Sequence, residues 1–202
     1  MRRRKEKSHL TVFGVDLAGV PHRPTGVCLL RGLEAKTALL YSDKDILDVI
    51  EKEKPILVTM DAPLSLPPGR ESIQQRNGQH FRTCDLELRR RKIPFFPITL
   101  GPMRVLTERG MALKKKIEQM GIQALEIYPG GAQDIWKIPR AKRDLEGLGV
   151  GLKRLGIKGL DRNHSTHELD AVAAAFVGIL FLEGKAEVFG DFSSGAILMP
   201  FP

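Results

Sequence analysis

Short apolar runs broken by polar segments rich in Gly and Pro set the rhythm of the first third of the chain. The run LTVFGVD at 10–16 is dominated by β-branched and aromatic residues, with Gly14 its one weak former, and predicts a strand. Residues 25–31 and 35–41 predict two more, joined so tightly that an antiparallel meander is expected. Asp43 or Asp45 then caps a helix through about Glu53, with Ile46, Val49 and Ile50 on one face, and Pro55 stops it. The continuous apolar run ILVTM, 56–60, ending in Asp61, predicts a central strand covered on both faces.

Beyond Asp61 the pattern changes. Residues 64–102 carry scattered Pro and Gly with one helical stretch, 85–92, and predict a helical insertion over the edge of the sheet. A helix from Pro102 or Met103 to Met120 ends at Gly121, and residues 122–128 predict a fifth strand. Residues 139–155 predict a helix broken between Gly147 and Gly151. From Asn163 the pattern is helical through Leu182, opened by a capping box of Ser165 and Glu168. A meander followed by alternating strands and helices predicts an α/β fold with a mixed five-stranded sheet flanked by helices, with the insertion after the fourth strand. The hairpin-joined first half argues against a doubly wound dinucleotide-binding sheet.

The length of 202 residues suits one domain, here 9–202, preceded by a basic arm at 1–8 expected to be disordered. Two cysteines make no disulfide framework, and no apolar run approaches membrane-spanning length, so a soluble cytoplasmic protein is expected. The net charge of +8 is concentrated: residues 1–7 and residues 64–92 each carry a surplus of four positive charges, leaving the rest balanced. Such local surpluses attract a polyanion such as DNA or RNA, though a solvated arm and a solvated helix face account for them equally. Within the insertion, Arg82, Arg89, Arg90 and Arg91 are the candidate nucleic-acid contacts, with Arg82 and Arg89 two helical turns apart on one face.

Three acids stand where folding alone does not ask for them. Asp16 ends the first strand, Asp61 ends the most apolar strand, and Asp170 lies one turn inside an almost wholly apolar helix. Burying a carboxylate is costly unless it is paired, hydrogen-bonded or bound to a metal. Hard divalent cations take oxygen ligands, and two-metal nucleases clamp a phosphate with carboxylates from several elements. Glu126, opposite Leu125 and Ile127 by strand alternation, is a candidate fourth acid. Each has a structural alternative: Asp16 and Asp61 as caps of the turns that follow them, Asp170 as a neutraliser of its helix N-terminus, Glu126 as half of a salt bridge. His167 reads as a helix-entry residue or a support to the acids. Cys28 and Cys84 read as inert, Cys and His are too scattered for zinc, and Gly130 and Gly131 read as a turn.

The segments VDLAG at 15–19, DAPLS at 61–65, Arg82-x-Cys84-Asp85, EIYPG at 126–130 and HELDA at 167–171 occur in one order. Together they resemble an uncharacterised family of predicted nucleases with a ribonuclease H-like fold, over residues from about 10 to Pro200. The resemblance implies a mixed sheet with Asp16, Asp61, Asp170 and Glu126 around a Mg²⁺ or Mn²⁺ site. The reading is a metal-dependent nuclease that hydrolyses phosphodiester bonds in DNA or RNA. Asp16 would bridge two metals, Asp61 and Asp170 would each complete one site, and Glu126 would assist. Two alternatives are a non-catalytic nucleic-acid-binding module and a nucleotide-binding domain related to the sugar kinases and actin-like ATPases, which usually need two such domains.

Overall fold

The structure is a computed structural model that describes residues 10–202; the basic arm at 1–8 lies outside the described residues. Strands β1 (Thr11–Asp16), β2 (Thr25–Arg31) and β3 (Glu34–Leu40) form the expected antiparallel meander. Helix α1 (Asp43–Glu53) follows, capped by the Ser42 side chain, which accepts from the Asp45 amide at 3.1 Å. Ser42 thus takes the cap expected of Asp43 or Asp45, and Asp45 bonds back to it. Strand β4 (Leu57–Asp61) returns parallel to β1, and β5 (Gln123–Ile127) lies parallel to β4.

Between β4 and β5 come α2 (Thr83–Arg90) and α3 (Gly101–Gln119). Helices α4 (Pro129–Ile135), α5 (Leu145–Arg154) and α6 (Thr166–Leu182) precede the last two strands, β6 (Ala186–Asp191) and β7 (Gly195–Pro200). The sheet therefore has seven strands among the described residues, in the order β3-β2-β1-β4-β5-β7-β6, and the expected five is corrected to seven. The addition is a C-terminal hairpin whose inner strand, apolar from Ala196 to Met199, pairs parallel with β5 and extends the sheet beyond it. Two helical expectations also change. Residues 129–135 are helical where a Gly-Gly turn was expected, and α5 runs unbroken through Gly147 and Gly151. A side chain at Gly151 would collide with Ile138, so that glycine serves packing and not a break.

Helices sandwich the sheet. On one face α6 buries Ala171 to Val177 against Val12, Cys28, Leu57 and Leu125. On the other, α1 and α3 supply Ile46, Ile50, Leu113 and Ile117 against Phe13, Val58 and Met60. Helix α6 crosses β1 and β2 so closely that no side chain fits beneath it. A Cβ at Gly14 would stand 2.6 Å from the Ala175 amide nitrogen, and one at Gly26 would stand 2.9 Å from that of Glu168. These two glycines let the first turn of α6 settle onto the carboxyl end of β1, which positions the site. No helix among the described residues is long and apolar enough to cross a membrane.

Candidate active site

In the parallel β1–β4 pair, Asp16 and Asp61 are register partners at the last rung. Paired residues in a sheet point to the same face, across a strand spacing of about 4.8 Å. Which face follows from alternation. Gly14 lies under α6, and Thr59, two residues before Asp61, donates its hydroxyl to the Ala174 carbonyl of α6 at 2.9 Å. Asp16 and Asp61 therefore share the α6 face, where His167 and Asp170 project from that helix one turn apart.

Local structure holds each acid. The turn after Asp16 is pinned where the Ala18 amide donates to Thr25 Oγ1 (3.1 Å) and where the buried Arg109 donates to the Ala18 carbonyl (2.6 Å). The start of α6 is fixed by the predicted capping box: Ser165 Oγ accepts from the Glu168 amide (3.2 Å) and Glu168 accepts from the Ser165 amide (2.9 Å). His167 Nδ1 meets Asp16 Oδ2 at 2.6 Å, and Gln133 Nε2 of α4 donates to Asp170 Oδ1 at 2.6 Å. No hydrogen-bond donor among the described residues reaches the Asp61 carboxylate.

The electrostatics record this crowding. Burial, then the negative charges of Asp16, Asp170 and Glu126, hold the Asp61 carboxyl well above its ordinary range. Burial followed by Asp16 pushes Asp170 up to about 6, against the opposing bond from Gln133. His167 is raised, chiefly by its bond to Asp16. The exposed Lys142, in the turn between α4 and α5, supplies positive field at Asp61, Asp170 and His167, and pairs with no carboxylate among the described residues. Ionising all three carboxylates together is therefore opposed by burial and by their mutual repulsion, with His167 and Lys142 as the cations that offset it.

Glu126 stands apart. It is paired in register with Met60, on the face opposite Asp16 and Asp61. There it accepts two bonds from Arg82, at 2.6 and 2.8 Å, and one from the Leu64 amide at 2.8 Å. Arg82 also donates to Asp85 through Nη2 (2.8 Å) and Nε (3.1 Å), and all three side chains are buried. The expected roles are corrected on both counts. Glu126 is not gathered with the three aspartates, and Arg82, only 2% exposed, is an internal counter-ion with no path to a phosphate. Arg91 pairs with Glu187 and Glu87, and Arg90 with Glu87, whereas the exposed Arg89 stacks 5.7 Å over the Phe81 ring. Cys28 and Cys84 are buried, and burial pushes both thiols up, out of nucleophilic range.

Three carboxylates whose joint ionisation the fold opposes, one of them without a hydrogen-bond donor among the described residues, are a hard-oxygen donor set of the kind that would suit Mg²⁺ or Mn²⁺. Among the described residues no three such side chains already converge into a metal cage, because Asp16 is turned to His167 and Asp170 to Gln133. Gln133 and Lys142 carried no sequence signal: each matters through a contact or field reaching across the fold.

The architecture is that of the ribonuclease H-like α/β proteins. Two solved structures of Thermus thermophilus RuvC, a nuclease of this fold, superpose on the chain. RuvC in complex with its Holliday junction substrate aligns at TM-score 0.51 and 15% identity, covering 93% of this chain and 99% of the other. A second RuvC structure aligns at TM-score 0.50 and 12% identity with the same coverage. No family model matches the sequence, and no curated protein is similar to it in sequence.

Proposed function

We propose that the protein is a metal-dependent nuclease that hydrolyses phosphodiester bonds in DNA or RNA. Asp16, Asp61 and Asp170 are its metal-binding catalytic acids. The observation that carries this reading is the register pairing of Asp16 with Asp61 beneath Asp170, with no cationic side chain among the described residues bonded to any of the three except the titratable His167. A structural carboxylate would have recruited a counter-ion, as Glu126 has. The likeness to RuvC, solved on a Holliday junction, supports nucleic acid as the substrate and branched DNA as its first trial form.

The bound cations would polarise the phosphate and offset the charge that builds as it is cleaved. The residues of this chain do the rest. Asp61 has no competing donor among the described residues, while Asp16 and Asp170 are oriented by His167 and Gln133 and need only exchange those partners. His167, half exposed beside Asp16, is placed to hold or release a proton at Nδ1. Arg89 and Lys142 are the exposed cations that can hold a polyanion near the three aspartates.

The test is cleavage of labelled four-way junction, single-stranded and duplex DNA and RNA in Mg²⁺ or Mn²⁺. Asp16→Asn, Asp61→Asn and Asp170→Asn should each lower the rate at least about 100-fold while the protein stays folded. Wild-type cleavage in EDTA, or no cleavage of any of these substrates in either metal, would sink the reading.

A further inference from the structure

Beside Asp61 the structure holds a cavity of about 190 Å³ that the carboxylate chemistry does not use. Asp61 forms part of its wall. Phe95, Phe96 and Tyr128 bring aromatic surface, Met103 and Leu106 of α3 bring aliphatic surface, and the neutralised Arg82–Glu126 pair lies behind. Drug-sized ligands need roughly 300–1,000 Å³, so this space admits one ring system and leaves whatever is attached to it outside.

Its aromatic wall is held open by bonds. Tyr128, just past β5, donates its hydroxyl to the Pro94 carbonyl at 2.6 Å, and Arg140 donates to the same hydroxyl at 3.1 Å. On the far side of the loop, His80 Nδ1 meets Thr99 Oγ1 at 2.8 Å. Phe95 and Phe96 are thereby presented at the cavity, and Phe96 is 71% exposed, its ring unstacked on any other aromatic ring among the described residues. The rings continue outward. Phe95 stands edge to face with Phe81 at 6.1 Å, Phe81 with His80 at 6.5 Å, and Arg89 covers Phe81. Aromatic rings with an interleaved arginine are how proteins bind single strands, since every base has a face to stack.

We propose that this cavity receives one unstacked nucleobase, against Phe96, from a strand whose adjoining phosphate lies at the three aspartates. The placement of that phosphate rests on the nuclease reading; the base pocket itself does not. Apart from Asp61 at its edge, the cavity wall offers rings and methyl groups with its charges paired in the Arg82–Glu126–Asp85 triad, so the pocket takes any base and selects unpaired over paired strands.

The test is fluorescence-anisotropy binding of a single-stranded oligothymidylate and of a blunt duplex, in Ca²⁺ to suppress cleavage. Phe96→Ala should weaken the single strand about tenfold and the duplex less than about twofold. Phe96→Trp should keep wild-type affinity, and the emission of its new indole should be quenched by the oligothymidylate. Unchanged single-strand affinity in Phe96→Ala, or equal losses on both probes, would overturn the pocket. If that happens while the wild type still cleaves in Mg²⁺, the pocket falls and the nuclease reading stands. If the Phe96 effects appear but the wild type cuts nothing, the pocket stands and the nuclease reading falls.

Discussion

Asp61 and Glu126 come from adjacent parallel strands, β4 and β5, and both end in surroundings that disfavour charge, yet they stand in opposite circumstances. Glu126 has Arg82 bonded to both oxygens, a backbone amide besides, and Asp85 completing a buried triad. Asp61 has two further aspartates near it, the distant field of Lys142, and no donor among the described residues. The fold neutralised one acid and left the other exposed to its own repulsion. Burial alone therefore does not mark a functional carboxylate; burial without a counter-ion does.

The strongest way to break the contrast is to remove the counter-ion. Arg82→Met leaves Glu126 and Asp85 buried and unpaired and should cost about 3–5 kcal/mol in urea unfolding, with much of it recovered by adding Glu126→Gln. A loss below about 1 kcal/mol would mean that the triad is not the structural member of the pair.

Next comes pH. The folded-state values of Asp170 and His167 are both raised, so the native state binds more protons than the unfolded chain. For Asp170 this contribution is present below its ordinary value of 3.8 and fades as pH rises to about 6; for His167 it fades as pH rises beyond 6.5. Metal-free stability should therefore fall by about 1–2 kcal/mol between roughly pH 4 and pH 7 relative to Asp170→Asn, measured by thermal melts of both proteins. A parallel pair of curves would show that the cluster carries no repulsion.

Asp61→Asn should raise metal-free stability by about 1 kcal/mol, because it deletes a charge that burial and its neighbours oppose. In the same variant the thermal shift that Mn²⁺ gives the wild type should vanish. Destabilisation without metal would make Asp61 a structural cap. The smallest effect is expected at Lys142, whose exposed charge acts from a distance. Lys142→Ala should tighten Mn²⁺ binding by only about twofold at low salt, read by calorimetry, with the difference lost at high salt.

Some of this contrast was legible before the fold. Alternation already set Glu126 opposite Leu125 and Ile127, and the same parity along 56–61 sets Asp61 with Leu57 and Thr59. What was missing was that Leu125 and Thr59 are register partners, which assigns the two acids to opposite faces. The C-terminal hairpin is legible too, since the apolar run 196–199 is bounded by Gly195 and Pro200, a strand signature. Arg82 was not legible: its basic neighbours made it read as surface, and only packing put its side chain inside.

The elements and their ends are written in local pattern. Apolar runs close in Asp16 and Asp61 and a capping box opens α6, all signals carried within a few residues. Which acids are answered by a cation depends on packing between elements far apart in the chain. Glu126 finds Arg82 from 44 residues away, while Asp16, Asp61 and Asp170 converge from three elements around His167. Local pattern fixes where a side chain points along its own strand or helix. The charge balance of a buried group depends on everything packed around it, and that exists only once the chain has folded.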